Sequence, residues 1–277
     1  METQTKTVLL TGSTDGVGRL VAQKLGAAGY LVLLHGRNVA RAAEVKAAIE
    51  AAGGQALVYL ADFASLDQVR TLAGTIAREH PRLDLLINNA GLGWGHMETQ
   101  RKLSQNGHEL IFAVNYLAPF LLTRLLLPGV QAARGRIVNV ASIGQEPLDL
   151  TDLMLTRGYN GIRAYRQSKL ALIMFTIDLA AELADSGVTV NALHPATFMA
   201  TNLVQQIGVQ PQSTVAQGAE AMLHLALAPE LAGATGQFFN GLAPARALPQ
   251  AYDPAARKRL GALSRELTGL APSPAPG

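Results

Sequence analysis

The sequence has no cysteine among its 277 residues, which excludes disulfides, thiolate metal sites and a cysteine nucleophile. Aromatic residues make up only 5% of the chain and charged residues only 16%, whereas 49% is hydrophobic. Such a chain buries enough apolar surface to offset the entropy of ordering, which excludes disorder. The 23 Lys and Arg exceed the 20 Asp and Glu by only +3, so no nucleic-acid partner is predicted despite a pI of 9.3.

The sequence also lacks a run that would cross a membrane. Its longest apolar stretch, Tyr116 to Leu127, is interrupted by Arg124 and ends at Pro128, whereas a bilayer span needs about 20 apolar residues. The amino terminus has no apolar core behind a basic start, as a secretory leader would have. We therefore expect no membrane span and a cytoplasmic protein.

Short apolar runs alternate along the chain with longer amphipathic segments. Runs without polar alternation are typical of strands covered on both faces, and strands that alternate with helices form parallel sheets. The pattern predicts an α/β fold, a doubly wound parallel sheet, in a single domain over residues 1–270, with a flexible Pro-rich tail at 271–277. The predicted strands are Val8–Leu10, Leu31–Leu34, Ala56–Leu60, Leu83–Ile87, Ile137–Val140, Val188–Leu193 and Gln237–Phe239.

Helical periodicity fills the segments between these runs. The longest predicted helix extends from about Gln105 to Leu127, and Pro119 is expected to bend it. The other predicted helices are Val17–Ala28, Ala40–Ala52, Leu66–Glu79, Ala164–Ala184 and Val215–Leu227.

The first predicted strand is followed by TGSTDGVG, residues 11–18. Glycines at this point let the backbone approach a phosphate and let the next helix begin close to the sheet. The position between a strand and a helix favours a dinucleotide site, although a glycine-rich turn without a ligand uses the same residues. The candidate cofactor residues here are Gly12, Ser13, Thr14, Asp15, Gly16, Val17 and Gly18.

The residues after the second and third runs bear on the choice of cofactor. An NAD site usually has an acid after the second strand that holds the ribose hydroxyls, but Arg37 and Asn38 follow it here. Arg37 is either a partner for a 2′-phosphate, which a guanidinium binds in a bidentate way, or an ordinary surface arginine. Asp62 and Phe63, after the third run, are candidates for the adenine edge.

Further candidates follow the later runs. Asn89, Ala90 and Gly91 come after the fourth run and suit either close packing against a cofactor or a turn. Tyr165 and Lys169 are four residues apart on a predicted helix, so they share a face. In isolation, such a pair is more often coincidental than functional.

Several motifs occur in a set order: TGxxxGxG, NNAG, an Asn in the next helix, a Ser after the fifth strand, and YxxxK. This order, from about Lys6 to Thr268, resembles the short-chain dehydrogenase/reductase family. The stretch Leu260–Leu270, following QFFN at 237–240, resembles the retinol-dehydrogenase-like branch. The resemblance implies a Rossmann fold and an enzyme that interconverts a carbonyl and an alcohol with a nicotinamide cofactor.

The resemblance also implies roles for particular residues. Arg37 in place of an acid implies NADP(H) rather than NAD(H), and the loop with Pro195 and Thr197 is expected to border the nicotinamide. The implied catalytic tetrad is Asn115, Ser142, Tyr165 and Lys169. The implied cofactor site consists of the glycine-rich turn together with nine further residues. These are Arg37, Asn38, Asp62, Phe63, Asn89, Ala90, Gly91, Tyr165 and Lys169.

The chemistry of carbonyl reduction suits this tetrad. A tyrosine pKa of about 10 is too high for easy proton exchange near neutrality. An ammonium at roughly 4 Å, in an effective dielectric near 20, attracts a phenolate by about 4 kcal/mol, an upper figure of about three pKa units. We therefore expect Lys169 to lower the pKa of Tyr165. Ser142 is expected to donate a hydrogen bond to the substrate oxygen, and Asn115 to hold a water that relays protons to Lys169.

The sequence departs from the family pattern at three points. The motif serine and tyrosine are 165 − 142 = 23 positions apart, where many members have about a dozen, so the segment Ile143–Ala164 is either a lid on the substrate side or a surface elaboration. Ala196 replaces the usual glycine, and the next threonine is shifted to Thr201. Asp15 stands where many NADP-preferring members carry a basic residue. The predicted preference for NADP(H) therefore depends on Arg37 and on the absence of an acidic residue after the second strand.

The substrate side is defined less sharply by the sequence. The apolar composition around the predicted lid favours a small apolar carbonyl or alcohol, such as a lipid-like ketone, and makes the protein a candidate ketoreductase. Trp94, the only tryptophan, is either a wall of the pocket or part of a mobile turn. Met199, Leu203, Val204 and Ile207 form either an apolar flap or one face of a helix.

Two other functions stay open. The same fold could serve a non-catalytic NADP(H) sensor or scaffold, against which the intact Ser, Tyr and Lys argue. An NADP-dependent epimerase or dehydratase would tend to carry TGxxGxxG and a larger substrate domain. No metal site is predicted, because no two of the six histidines have the spacing of metal ligands. A homodimer or homotetramer is expected to pair the apolar faces of Gln105–Leu127 and Leu170–Leu183.

Overall fold

The computed structural model describes residues 5–95, 99–206 and 208–271. An eight-stranded sheet forms its centre, in the order β3-β2-β1-β4-β5-β6-β7-β8. The first seven strands run parallel, and only the short β8 pairs antiparallel, with β7. The strands are β1 Thr7–Leu10, β2 Leu31–Gly36, β3 Gln55–Leu60, β4 Leu85–Asn88, β5 Arg136–Val140, β6 Thr189–His194, β7 Phe238–Asn240 and β8 Ala243–Ala245.

Helices cover both faces of this sheet, as a doubly wound fold requires. One face packs against α3, α5 and α6, and the other packs against α1, α2 and α8. The helices are α1 Gly16–Ala27, α2 Val39–Ala51, α3 Leu66–Glu79, α4 Leu110–Phe112, α5 Ala118–Ala133, α6 Gly161–Glu182, α7 Asn202–Gln206, α8 Val215–Leu227 and α9 Pro254–Thr268.

Strand β1 explains why the apolar runs are continuous. Val8 and Leu10 face the core beneath α1, and Leu9 between them faces the core beneath α5. Both sides of the strand are therefore buried, and no position is left for a polar residue. The predicted α/β class, the doubly wound parallel sheet and the single domain are confirmed.

The predicted helix from Gln105 to Leu127 is wrong in its limits. Helix α4 begins at Leu110, a π-helical turn follows at Ala113–Leu117, and α5 continues to Ala133. Pro119 comes directly after this π turn, within a helical run that continues without a break.

This helical run also changes the interpretation of the apolar stretch. Leu110–Ala133 is 24 residues long and apolar enough to cross a bilayer, so the stretch is longer than the sequence indicated. Within the domain, however, 78% of its most apolar window is buried. The apolar residues of this run therefore serve the core, where α5 packs against α3.

The carboxyl-terminal helix α9 packs against the helices that follow β4 and β5. The hydroxyls of Tyr116 and Ser264 are 2.7 Å apart, and Arg257 Nε donates to Asp178 Oδ1 at 2.5 Å. Leu260 is buried between these contacts. Helix α9 thus covers part of the apolar surface that the sequence offered for oligomerisation. Residues 272–277 of the predicted tail lie outside the described residues.

Candidate active site

The glycine-rich turn packs directly against the end of β4. Gly12 has a φ of +64°, and a Cβ at this residue would lie 2.8 Å from the Cα of Ala90. A Cβ on Gly18 would lie 2.1 Å from the Gly12 carbonyl oxygen. Only glycine permits these two approaches, which bring the start of α1 close to the carboxyl edge of the sheet.

The side chains of Thr11, which the sequence did not indicate, and of the predicted Asn89 hold this turn. The Thr11 hydroxyl accepts the N–H groups of Asn89 and Ala90 at 2.9 and 3.0 Å. The Asn89 amide donates to the carbonyls of Thr11 and Gly12, both at 3.0 Å. These bonds join the predicted residues of the first and fourth strand ends into one surface.

His35 supports the turn from β2. Its Nδ1 accepts the Gly12 N–H at 3.3 Å, and its Nε2 lies 3.1 Å from the Ala61 carbonyl, which makes Nε2 the protonated nitrogen. Its ring stacks on Phe63 at 4.3 Å. Burial lowers the pKa of His35 from 6.5 to about 4, so the imidazole is neutral near pH 7.

Several predicted cofactor residues turn their side chains into the fold. Ser13 is fully buried and bonds the His35 backbone of β2 in both directions. Val17 and Phe63 are buried in the two cores. At these three residues only the backbone is left to contact a ligand.

The charged residues near β2 form two pairs. Arg37 Nη1 lies 3.6 Å from Asp62 Oδ1, with the two side chains 65% and 31% exposed. Asp15 accepts the Gly16 N–H at 2.8 Å and lies 3.3 Å from Arg41. The predicted Arg37 and Asp62 are thus neighbours on an open rim, and both remain accessible to a ligand.

Asn38 and Asp15 also have local structural roles. Asn38 caps α2 by accepting the Arg41 N–H at 3.0 Å. Asp15 accepts a hydrogen bond from Asn202 at 2.6 Å, which ties the segment after β6 to the glycine-rich turn. Thr201 also packs against this turn, since a Cβ built on Gly16 would lie 3.2 Å from Thr201 Cγ2.

Asn115 lies at the centre of the π turn. Its side chain accepts the Leu92 N–H at 2.7 Å and donates to the Leu92 carbonyl at 2.9 Å and to Ser168 Oγ at 3.1 Å. A Cβ on Gly91 would lie 3.3 Å from Asn115 Oδ1 and 3.5 Å from Lys169 Nζ. Gly91, Asn115 and Lys169 therefore meet, and π turns of this kind often accompany functional sites.

Ser142 and Tyr165 complete the cluster. Ser142 Oγ accepts the Gly144 N–H at 3.0 Å, which leaves its own proton free to be donated. It also contacts the Tyr165 hydroxyl. Lys169 Nζ donates to the Val140 carbonyl at 2.9 Å and lies 5.6 Å from the centre of the Tyr165 ring. All four predicted tetrad residues are thus brought together.

The expectation that Lys169 lowers the pKa of Tyr165 is wrong for this arrangement. Burial raises the pKa of Tyr165, and the hydrogen bond with Ser142 only opposes that rise. Burial also lowers the pKa of Lys169 from 10.5 to about 8. The Lys169 ammonium donates its hydrogen bond to the Val140 carbonyl rather than to Tyr165. Burial is therefore the main cause of the shifted pKa values of both Tyr165 and Lys169.

Aromatic residues line one side of Tyr165. The Trp94 ring packs edge-on against the Tyr165 ring, with centroids 5.2 Å apart. Leu155 and Tyr159, from the segment after Ser142, join the same small cluster. Trp94 therefore packs directly on Tyr165, and part of the segment after Ser142 is packed into the domain.

The segment after β6 lies between the tetrad and the glycine-rich turn. The Thr197 hydroxyl lies 3.1 Å from His194 Nε2, and burial followed by the charge of Lys169 lowers the pKa of His194 to about 4. Pro195 is buried. In the apolar set beyond them, Met199 packs on α8 and Val204 is buried, whereas Ile207 lies outside the described residues.

The residues present fit a dinucleotide cofactor. A tight glycine turn at a helix start offers free backbone N–H groups to phosphates. Arg37 and Asp62 lie at the rim beside β2 and β3, and Gly91 opens the other end towards Lys169. Within residues 5–95, 99–206 and 208–271, no group of three or more His, Asp or Glu could hold a metal ion.

Comparison with known proteins agrees with this geometry. The family model for short chain dehydrogenase matches residues 6–212. Human retinol dehydrogenase 13 is 37% identical over 293 aligned positions, which span 97% of this chain and 86% of that protein.

Solved structures share the fold over most of their length. An uncharacterized protein from Mycobacterium paratuberculosis superimposes with a TM-score of 0.77 at 30% identity, covering 96% of this chain and 94% of the other. A variant of actinorhodin polyketide ketoreductase, solved with NADPH, has a TM-score of 0.69 at 26% identity and covers 87% of this chain and 99% of its own.

Proposed function

Because this chain belongs to the short-chain dehydrogenase family of oxidoreductases acting on CH–OH and C=O groups, we propose that it uses NADP(H) and that Tyr165 transfers the proton. The observation that carries the proposal is the meeting of Tyr165 with Ser142, Lys169 and Asn115 at the carboxyl edge of the sheet. That edge is where the glycine-rich turn also lies.

The cofactor is proposed to extend from the rim at β2 to Gly91. The backbone around Gly12, Gly16 and Gly18 holds the phosphates, and Arg37 holds the 2′-phosphate, with Asp62 near the adenine. When bound, the cofactor supplies or accepts the hydride. The pair of Arg37 with Asp62 is largely exposed and therefore weak, so a phosphate can replace the carboxylate as the partner of Arg37.

The protein supplies the proton and the orientation. Tyr165 gives its hydroxyl proton to the forming alkoxide in the reducing direction and takes it back in the oxidising direction. Ser142 donates a hydrogen bond to the same oxygen with its own proton, which the bond from the Gly144 N–H does not occupy. Lys169, held on the Val140 carbonyl, lies beside the Tyr165 ring, and Asn115 holds the turn next to it.

The proposed substrate is a small apolar carbonyl or alcohol. Trp94, Leu155 and Tyr159 supply an apolar wall beside Tyr165. The name of the human relative, a retinol dehydrogenase, supports an apolar alcohol or aldehyde, and the polyketide ketoreductase makes a ketone the second class to assay.

Location and assembly stay predictions. A cytoplasmic location is tested by fractionating cells that express the protein. A homodimer or homotetramer is tested by light scattering on the purified chain, and the pairing must use surface that α9 leaves uncovered.

The function is tested by binding and turnover together. We expect calorimetry to detect tighter NADPH than NADH binding, and a panel of apolar ketones, aldehydes and alcohols to contain substrates. Tyr165→Phe should lose at least about 100-fold in turnover, the usual share of a general acid, while NADPH still binds. Tyr30→Phe, next to the opposite edge of the sheet, is the matched control. Full turnover by Tyr165→Phe would refute the role, and NADPH binding with no substrate would favour a sensor.

A further inference from the structure

The loop that carries Ser142 has no regular structure of its own. Between the end of β5 and the start of α6, residues 141–160 contain no helix or strand. Ser142 and Tyr165 must nevertheless keep a fixed separation if both are to bond one substrate oxygen. Helix α6 itself holds the later part of the loop, because Gln167 Nε2 donates to the Pro147 carbonyl at 2.9 Å and Arg163 Nε lies 3.3 Å from Glu146 Oε1. Neither contact reaches Ser142.

Two glutamine side chains bond the loop to the carboxyl-terminal segment. Gln145 Nε2 donates to the Ser142 carbonyl at 2.8 Å, and Gln145 Oε1 accepts the Leu248 N–H at 2.9 Å. Gln250 accepts the Leu148 N–H at 2.6 Å and donates to the Leu148 carbonyl at 3.0 Å. The loop after Ser142 is thus bonded to residues 248–250 at two points, Gln145 and Leu148.

The segment that receives these bonds is itself anchored to α6. Arg257 Nε donates to Asp178 Oδ1 on α6 at 2.5 Å, and Arg257 Nη1 donates to the Ala251 carbonyl at 3.1 Å. Ala251 is fully buried. A continuous set of contacts therefore links the helix of Tyr165 to the loop of Ser142 through residues 248–257. This segment lies beyond residues 6–212, the range that the family model matches.

We propose that Gln145 is a positioning residue for Ser142 and that the carboxyl-terminal segment 248–257 completes the active site through it. The proposal rests on the proposed function. Among residues 5–95, 99–206 and 208–271, Gln145 is the side chain that bonds both the Ser142 backbone and the carboxyl-terminal segment, so its amide links the position of one to that of the other. Displacing a catalytic group by about 1 Å can cost on the order of 100-fold in rate.

Gln145→Met tests the proposal, because it keeps the length of the side chain and removes both hydrogen bonds. We expect kcat to fall about 10- to 100-fold, with NADPH affinity unchanged. Gln145→Glu keeps an acceptor for the Leu248 N–H but offers no donor to the Ser142 carbonyl, so it should be as slow. Gln131→Met, on the exposed end of α5, is the control for the substitution itself.

The deciding measurement is the same change in a Ser142→Ala background. If Gln145 acts through Ser142, Gln145→Met should slow Ser142→Ala no further. If the losses in kcat from Gln145→Met and Ser142→Ala multiply in the double variant, or if Gln145→Glu keeps the full kcat, the inference is overturned and the proposed function is left intact. Absence of turnover by the unmodified protein would overturn the proposed function, and the role of Gln145 with it. NADPH titration of each variant checks folding independently of turnover.

Discussion

The Nδ1 atom of His35 accepts the backbone N–H of Gly12 at 3.3 Å, so that the second strand supports the turn that follows the first. The bond requires an unprotonated Nδ1, because a protonated nitrogen would meet the N–H as a second donor. Burial satisfies this requirement by lowering the pKa of His35 to about 4. The shape of the proposed phosphate site thus depends on a neutral imidazole.

We predict that this histidine makes the fold sensitive to acid. The folded-state pKa of about 4 lies below the unfolded value of 6.5, so its stability contribution is present above pH 6.5 and lost as the pH falls to about 4. The contribution is on the order of 3 kcal/mol. His194, with a pKa lowered to about 4, adds to the same slope.

Urea unfolding at several pH values between 7 and 4 measures this slope. His35→Gln can still accept from Gly12 and donate to Ala61, but it does not titrate. In the variant, the free energy of unfolding should depend less steeply on pH between 6.5 and about 4. An unchanged slope would show that His35 is not the titrating group.

We predict opposite effects of one substitution at two glycines. A Cβ on Gly18 would lie 2.1 Å from the Gly12 carbonyl oxygen, whereas a Cβ on Gly74, in the exposed face of α3, meets nothing within 4 Å. Gly18→Ala should destabilise the protein by about 1–3 kcal/mol through overpacking and weaken NADPH binding. Gly74→Ala should stabilise it by about 0.5–1 kcal/mol. Thermal unfolding with and without NADPH distinguishes the two, and equal effects would contradict the close approach at Gly18.

Local patterns predicted the elements whose ends are set locally. Helix α3 has the predicted limits, Leu66 to Glu79, because Ser65 caps it and its apolar face has a helical period. The π turn at Ala113–Leu117 could not be predicted in this way. Asn115 bonds Leu92, 23 residues away, and such a contact leaves no local periodicity.

The candidate site shows the same limit. The spacing of Tyr165 and Lys169 placed both residues on one face of α6, and the structure agrees. Their pKa values were not predictable from spacing, because they depend on burial by residues from other strands and helices. Thr11 and His35 were missed as supports for a similar reason, since their partners Asn89 and Ala61 lie far along the chain.

We predict that Arg37 sets the preference for NADPH. Arg37→Met removes the charge but keeps most of the side-chain length, and a hydrogen bond to a charged group contributes about 1.5–3 kcal/mol. NADPH affinity should therefore fall about 10- to 100-fold, and NADH affinity should change little. Arg19→Met removes a similarly exposed arginine, paired with Glu44 on the outer face, and serves as the control. Equal losses for both cofactors would make Arg37 a surface residue.

Trp94 offers a single reporter of the site, because it is the only tryptophan and lies 5.2 Å from the Tyr165 ring. We predict that NADPH quenches its fluorescence, since the reduced nicotinamide absorbs where tryptophan emits. The quenching should saturate with the dissociation constant found by calorimetry, and Tyr165→Phe should retain it. Calorimetric binding without quenching would place the nicotinamide far from Trp94.

The same residue tests the substrate wall. Trp94→Ala removes the edge-on contact with Tyr165 and opens the apolar cluster that includes Leu155 and Tyr159. An aromatic pair contributes about 0.5–1.5 kcal/mol beyond burial, so KM for an apolar substrate should rise about 2- to 10-fold while NADPH affinity is retained. Trp94→Phe keeps an aromatic edge at this position and should lie near the unmodified enzyme. If both variants keep the original KM and kcat, the substrate does not touch this wall, and its pocket must lie on the side formed by the segment after β6.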